Sequence, residues 1–140
     1  MTTVIAFGAF DLLHPGHVFY LEEASKLGDE LIVVVARDKS IKSVKGKMPV
    51  QGEKIRLSNV KNIDVVDKAL LGSAHDPYEL IEDIKPDIIA LGYDQNSFTE
   101  RLEEQLKERN INAEIVRLNS FHPEHYKSSH LRRRLLRSKD

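Results

Sequence analysis

Apolar residues fall along this chain in short blocks, and the blocks change period. Thr3-Val4-Ile5-Ala6-Phe7 and Leu31-Ile32-Val33-Val34-Val35-Ala36 are continuous apolar runs, the pattern of strands buried on both faces. Asp87-Ile88-Ile89-Ala90-Leu91-Gly92 is a third, Glu114-Ile115-Val116-Arg117-Leu118 reads as a fourth strand, and Val65-Val66 with Ala69-Leu70-Leu71 gives a weaker fifth. Between them the spacing turns helical. Val18, Leu21, Ala24 and Leu27 recur three apart, which predicts a helix over 16–27 closed by Gly28. Further helices are expected over 53–60, from Asp76-Pro77 onward with Pro77 at the first helical position, over 97–109 with Phe98, Leu102, Leu106 and Arg109 on one stripe, and over 128–137. The stretch Arg37 to Gly52 is polar, rich in lysine and punctuated by Gly46, Pro49 and Gly52, so it reads as the longest loop and is suspect as functional.

Strands alternating with helices imply an α/β fold with one doubly wound, parallel, five-stranded sheet covered on both faces, a Rossmann-like domain over 1–140. In the order 3-2-1-4-5 the winding reverses between the first and fourth strands, and ligands bind beyond the carboxyl ends there. That would set the loop Gly8 to His17 beside the loop Gly92 to Gln95.

Composition narrows the picture. At 140 residues the chain fits one domain, and 41% hydrophobic content suffices for a core. The net charge of −1 argues against a general nucleic-acid binder. With no cysteine there is neither a disulfide framework nor thiol catalysis. No apolar run approaches the roughly 20 residues of a membrane span, and the first residues lack the plan of a signal peptide. A cytoplasmic protein with no membrane partner is expected.

The densest chemistry lies in Gly8-Ala9-Phe10-Asp11-Leu12-Leu13-His14-Pro15-Gly16-His17. Two histidines three residues apart sit where a strand hands over to a helix, with Pro15 and Gly16 letting the backbone turn and approach a ligand. A helix N-terminus with free N–H groups is an anion site, and imidazoles add donors for phosphate oxygens. No G-x-G-x-x-G follows a strand and no P-loop occurs, so a redox dinucleotide and a P-loop mechanism are set aside.

This string resembles the H-x-G-H signature of the nucleotidyltransferase superfamily, in its cytidylyltransferase-like branch; Ala9 departs from the commoner Thr. Leu31 to Asp38, Pro86 to Gln95 and Tyr126-Lys127-Ser128-Ser129 are similar to the archaeal-type FAD synthases, which are FMN adenylyltransferases. The resemblance implies transfer of AMP from ATP to FMN, giving FAD and pyrophosphate. It implies that His14 and His17 contact the triphosphate and stabilise the transition state, that Ala9 and Phe10 add backbone contacts, and that the protein is a homodimer. A polyol-phosphate cytidylyltransferase using CTP and a nucleotide-binding module without turnover are the alternatives. The first is disfavoured by the tail, where Tyr126-Lys127-Ser128-Ser129 replaces an arginine-led signature.

Other residues have two readings each. Asp94 follows a buried strand and either takes ribose hydroxyls or caps the next helix. Asp11 either binds a metal or nucleotide group or braces its loop by accepting backbone N–H groups. Lys39 and Lys42 either reach the phosphates or are solvated surface charges. Arg56 either braces this loop or binds substrate. Tyr126 is placed to stack on a base. Phe121, Tyr126, Phe98 and Met48-Pro49 are candidates for a flavin slot, with core packing the other reading of Phe98 and Phe121. His122 and His125 repeat the spacing of His14 and His17, but without cysteine a structural zinc site is not expected. A divalent ion, Mg²⁺ first, is expected to neutralise the triphosphate, with no dedicated protein metal site.

Overall fold

Alternation within the buried runs decides which element covers which face. In the computed structural model, which describes residues 1–73, 75–92, 95 and 101–119, β1 spans Thr3–Gly8. Its Val4 and Ala6 point into one core and Ile5 and Phe7 into the other. β2 (Glu30–Val35) does the same, Leu31, Val33 and Val35 on the first side and Val34 on the second. The first core is closed by α1 (Pro15–Ser25) through Leu21 and Ala24 and by α3 (Glu53–Lys61) through Val60. The second is closed by α4 (Glu79–Ile84) through Ile81 and α5 (Leu102–Glu108) through Leu102 and Leu106. With both faces covered, the central strands have no solvent side, which is why they read as unbroken apolar runs.

β3 (Lys68–Leu71), β4 (Ile88–Leu91) and β5 (Glu114–Arg117) complete the sheet. All pairings are parallel, in the order β3-β2-β1-β4-β5. The winding therefore reverses between β1 and β4, as expected from the sequence, and the carboxyl end of β1 opens toward that reversal. Among the described residues no helix is long and apolar enough to cross a membrane.

Four expectations need correction. Arg37 to Gly52 is not one loop: α2 occupies Asp38–Lys45. Only Ile41 of this helix is buried, with Val44 65% exposed, so its buried apolar signal is one residue in a lysine-rich run. Asp38 in its first turn and Lys42 and Lys45 in its last match the helix dipole, and Gly46 closes it at φ +80°. Pro77 does not open α4. The Asp76 carboxylate accepts the Tyr78 N–H at 2.9 Å and the Asp76 carbonyl that of Glu79 at 3.2 Å, a turn that delays the helix to Glu79. β3 begins at Lys68; Val65 and Val66 pack against the core from the preceding turn. Arg109 leaves the apolar stripe of α5 and pairs with Asp76 and Glu82, each at 2.7 Å. The 128–137 segment and residues 96–100 lie outside the described residues.

Candidate functional site

The loop between β1 and α1 is shaped by one aromatic ring. Phe10 adopts φ +54° and is only 2% exposed, because the backbone turns back and drives its ring under the loop. There it stacks on Tyr20 at 6.5 Å and meets the His17 ring edge-on at 5.6 Å. Gly8 makes this possible: a Cβ at that position would lie 2.7 Å from the Phe10 ring.

His14 is the N-cap of α1, with extended backbone, and its Nδ1 accepts the Gly16 N–H at 3.0 Å. His17 Nδ1 accepts the His14 N–H at 3.3 Å. A neutral imidazole that accepts at Nδ1 carries its proton at Nε2. Both rings therefore present an Nε2–H donor, and they stack at 3.7 Å and 26°. The N–H groups of the helix start are less free than the sequence suggested. Gly16 N–H is taken by His14, and His17 N–H and Val18 N–H both lie on the His14 carbonyl, at 3.0 and 3.3 Å. The imidazole pair is the donor set left facing outward.

Burial first, then the neighbouring His14 and Lys45 charges, lower the His17 pKa from 6.5 to about 4. The ring is neutral at pH 7. Because the unfolded chain binds this proton near pH 6.5 and the folded one only near pH 4, stability is full above pH 6.5 and declines as pH falls toward 4. Melting temperatures across that window are expected to fall in the wild type and to fall less in His17→Asn. Asp11 and Asp76, whose pKa values are lowered below 3.8, act only under more acidic conditions.

Asp11 braces the loop: its two carboxylate oxygens accept the N–H groups of Val50 and Gln51, each at 2.8 Å, and the Gln51 bond is the main cause of its lowered pKa. Arg56 is fully buried and ties four segments together. Its Nη1 donates to the carbonyls of Ala9 (2.8 Å) and Ala36 (2.7 Å), its Nε to that of Gln51 (2.9 Å), and its Nη2 to the Asp38 carboxylate (2.7 Å). The loop after β1, the end of β2, the start of α2 and the approach to α3 are thus one unit.

Where β1 and β4 part, side chains replace the ladder. The last paired residues are Ala6 and Ala90. One residue on, the Tyr20 hydroxyl accepts the Phe7 N–H at 3.3 Å and donates to the Ala90 carbonyl at 2.7 Å, and burial raises its pKa. Gln95 reaches across from the β4 side, donating to the Phe7 carbonyl at 3.1 Å and accepting the Gly92 N–H at 3.2 Å. Arg117 holds the same turn through the carbonyls of Gly92 and Gln95. The loops after β1 and β4 meet at the reversal, in the crevice where α/β sheets bind ligands.

Comparison with known proteins bears on what that crevice holds. Residues 5–134 match the cytidylyltransferase-like family. The chain belongs to that family. Within it, the chain is 47% identical over 139 residues to the FAD synthase of Methanocella paludicola, covering 99% of each chain. It is 54% identical over 121 residues to the FAD synthase of Methanohalobium evestigatum, covering 86% of this chain and 79% of that one. The crystal structure of a lipopolysaccharide core biosynthesis protein from Thermoplasma volcanium superposes with a TM-score of 0.81 at 44% identity, covering 87% of this chain and 99% of that one. As a member of the archaeal FAD synthase group of cytidylyltransferase-like proteins, the chain is a nucleotidyltransferase.

For this nucleotidyltransferase, the structure brings together Ala9 and Phe10 on the loop after β1 with His14, Pro15, Gly16 and His17 at the start of α1. Lys39 is exposed in the first turn of α2. The lysine whose charge bears on Asp11 and His17 is Lys45, at the other end of that helix, which the sequence pattern did not single out. Of the two readings of Arg56 the bracing one holds, through its bonds to Ala9, Ala36, Asp38 and Gln51; Tyr20 was missed as a determinant of the site. Asp94, Tyr126, Phe98, Phe121, Ser128, Ser129, His122 and His125 lie outside the described residues. Among the described residues no three histidine, aspartate or glutamate side chains are grouped to hold a metal ion.

Proposed function

We propose that the chain transfers AMP from ATP to FMN. A phosphate oxygen of FMN attacks the α-phosphorus of ATP, the bond from that phosphorus to the bridging oxygen of the β-phosphate breaks, and FAD and pyrophosphate result. The observation that carries this reading is the match to an FAD synthase along 99% of both chains. The names of the relatives also weigh against the CTP-dependent polyol-phosphate alternative.

The FMN phosphate, with a second pKa near ~6, is mostly dianionic at neutral pH and needs no general base. The protein's part is to position the reactants and stabilise charge on the phosphoryl oxygens. The Nε2–H groups of His14 and His17 are suited to this. They are two donors fixed in orientation by backbone bonds at Nδ1. Lys39 and Lys45 add positive charge from α2, and the backbone of Ala9, Phe10, Pro15 and Gly16 lines the approach. Asp94 takes the ribose hydroxyls and Tyr126 stacks on a base in this reading. Divalent-metal use accords with the family. Asp11 accepts a backbone N–H group at each oxygen, and in this reading Mg²⁺ arrives on the triphosphate. The proposal extends to a single nucleotidyltransferase domain over 1–140, working as a cytoplasmic homodimer.

The test is pyrophosphate release. FMN with ATP should support turnover; glycerol-3-phosphate with CTP should not. The opposite pattern would leave the family membership and remove the substrate assignment.

A further inference from the structure

Leu12 stands in a conformation that leucine avoids. Its φ is +56°, where a non-glycine residue carries strain on the order of 1–3 kcal/mol, and strain of this kind collects at ligand sites. Burial does not compensate, because Leu12 is 52% exposed. The surrounding residues hold it there. Its N–H donates to the Gln51 side-chain oxygen at 3.1 Å, and Asp11 beside it grips the N–H groups of Val50 and Gln51. The same bonds bring the 48–51 segment alongside, with Met48 52% and Val50 77% exposed. Exposed apolar side chains thus stand on Leu12 and on the segment tied to it, two residues from His14.

We propose that Leu12, Met48 and Val50 form the platform for the flat isoalloxazine ring of the acceptor, an inference that rests on the FMN reading above. Three observations select this occupant. The first is position. The acceptor's phosphate must approach the imidazole pair, so its organic part leads away from His14, and this surface is the neighbouring apolar ground. The second is side. The 48–51 segment follows β2 and α2, on the flank of β1 away from β4, whereas the Gly92 and Gln95 turn closes the β4 flank. Two ring systems can then lie on opposite flanks of one phosphate site. The third is charge. Lys39, Lys42, Lys45, Lys47 and Lys54 are all exposed on the same stretch of chain. A second copy docked on this surface by two-fold symmetry would bring like charges together. A ligand with an apolar ring and a dianionic phosphate matches both features.

The test uses Leu12→Asn, since asparagine tolerates the left-handed region but removes the apolar surface, and Leu12→Met, which keeps that surface. FMN alone is titrated by flavin fluorescence, and pyrophosphate release is measured with FMN and ATP varied in turn. Leu12→Asn should weaken FMN binding and raise the KM for FMN about tenfold, the equivalent of one lost apolar contact. The KM for ATP should stay at its wild-type value, the melting temperature should not fall, since asparagine relieves the left-handed strain, and Leu12→Met should keep wild-type FMN affinity. Unchanged FMN affinity in an active Leu12→Asn protein would overturn the platform while leaving the FMN reading intact. A raised KM for ATP instead would make it an adenine surface, and a change confined to the oligomeric mass would make it a contact between copies; either overturns the proposal. A wild-type protein that neither binds FMN nor releases pyrophosphate with it would overturn the parent reading as well.

Discussion

Replacing His17 with alanine is expected to slow pyrophosphate release by about 10²–10³-fold, the usual consequence of removing one transition-state donor. The loss should fall on kcat, because the donor acts where negative charge develops on the phosphoryl oxygens. His14→Ala should do less damage. His17 is the more embedded of the two: it stacks on His14 at 3.7 Å, meets the Phe10 ring and accepts the His14 N–H, so its removal also releases His14 from its orientation. The fold should survive, since the lost N3 cap costs about 0.5–2 kcal/mol. Single-turnover release with saturating ATP separates the chemical step from binding, and a melting curve confirms the fold. A near-normal single-turnover rate in His17→Ala would end the donor role proposed for it.

The strands were legible because a buried parallel sheet writes itself as apolar runs. Residues 31–36 could hardly be anything else, and the winding order followed from strand–helix alternation. The loop carrying His14 and His17 was legible for a different reason: its glycine, proline and histidine spacing is local. The structure adds what is not local. Arg56 looks like any helix arginine, and its partners Gln51, Ala36 and Ala9 lie 5, 20 and 47 residues away. Tyr20 joins carbonyl and amide groups 70 and 13 residues distant, across the gap where β1 and β4 part. α2 was hidden because Ile41 alone anchors it, and with the helix unseen Lys39 and Lys42 stood out by nearness to β2. Once the helix is in place, Lys45, at its far end, proves to be the lysine that bears on His17.

Arg56→Met should be the most destabilising single change in the site. The guanidinium makes four bonds from a fully buried position, and methionine fills its volume while making none of them. The carbonyls of Ala9, Ala36 and Gln51 would lose this donor, and Asp38 would lose its ion-pair partner at 2.7 Å. Breaking a buried pair by removing one member costs about 3–5 kcal/mol, and with Asp38 24% exposed to solvent the lower end, about 3 kcal/mol, applies here. For a domain of this size that corresponds to a melting temperature lower by roughly 10 °C or more. Arg56→Lys should recover only part of the loss, since a single ammonium cannot reproduce the planar fork that reaches three carbonyls and a carboxylate at once. Activity below the melting transition should fall with it. The Ala9 carbonyl belongs to the phosphate loop and Asp38 to α2, so cutting the hub uncouples the histidines from the lysine helix. Guanidinium unfolding at constant m-value measures the first effect, and pyrophosphate release at about 15 °C below the variant's own midpoint measures the second. An Arg56→Met protein as stable as the wild type would mean that the four bonds contribute nothing net. One that is unstable but fully active below its midpoint would make Arg56 a brace for the fold alone and not for the site.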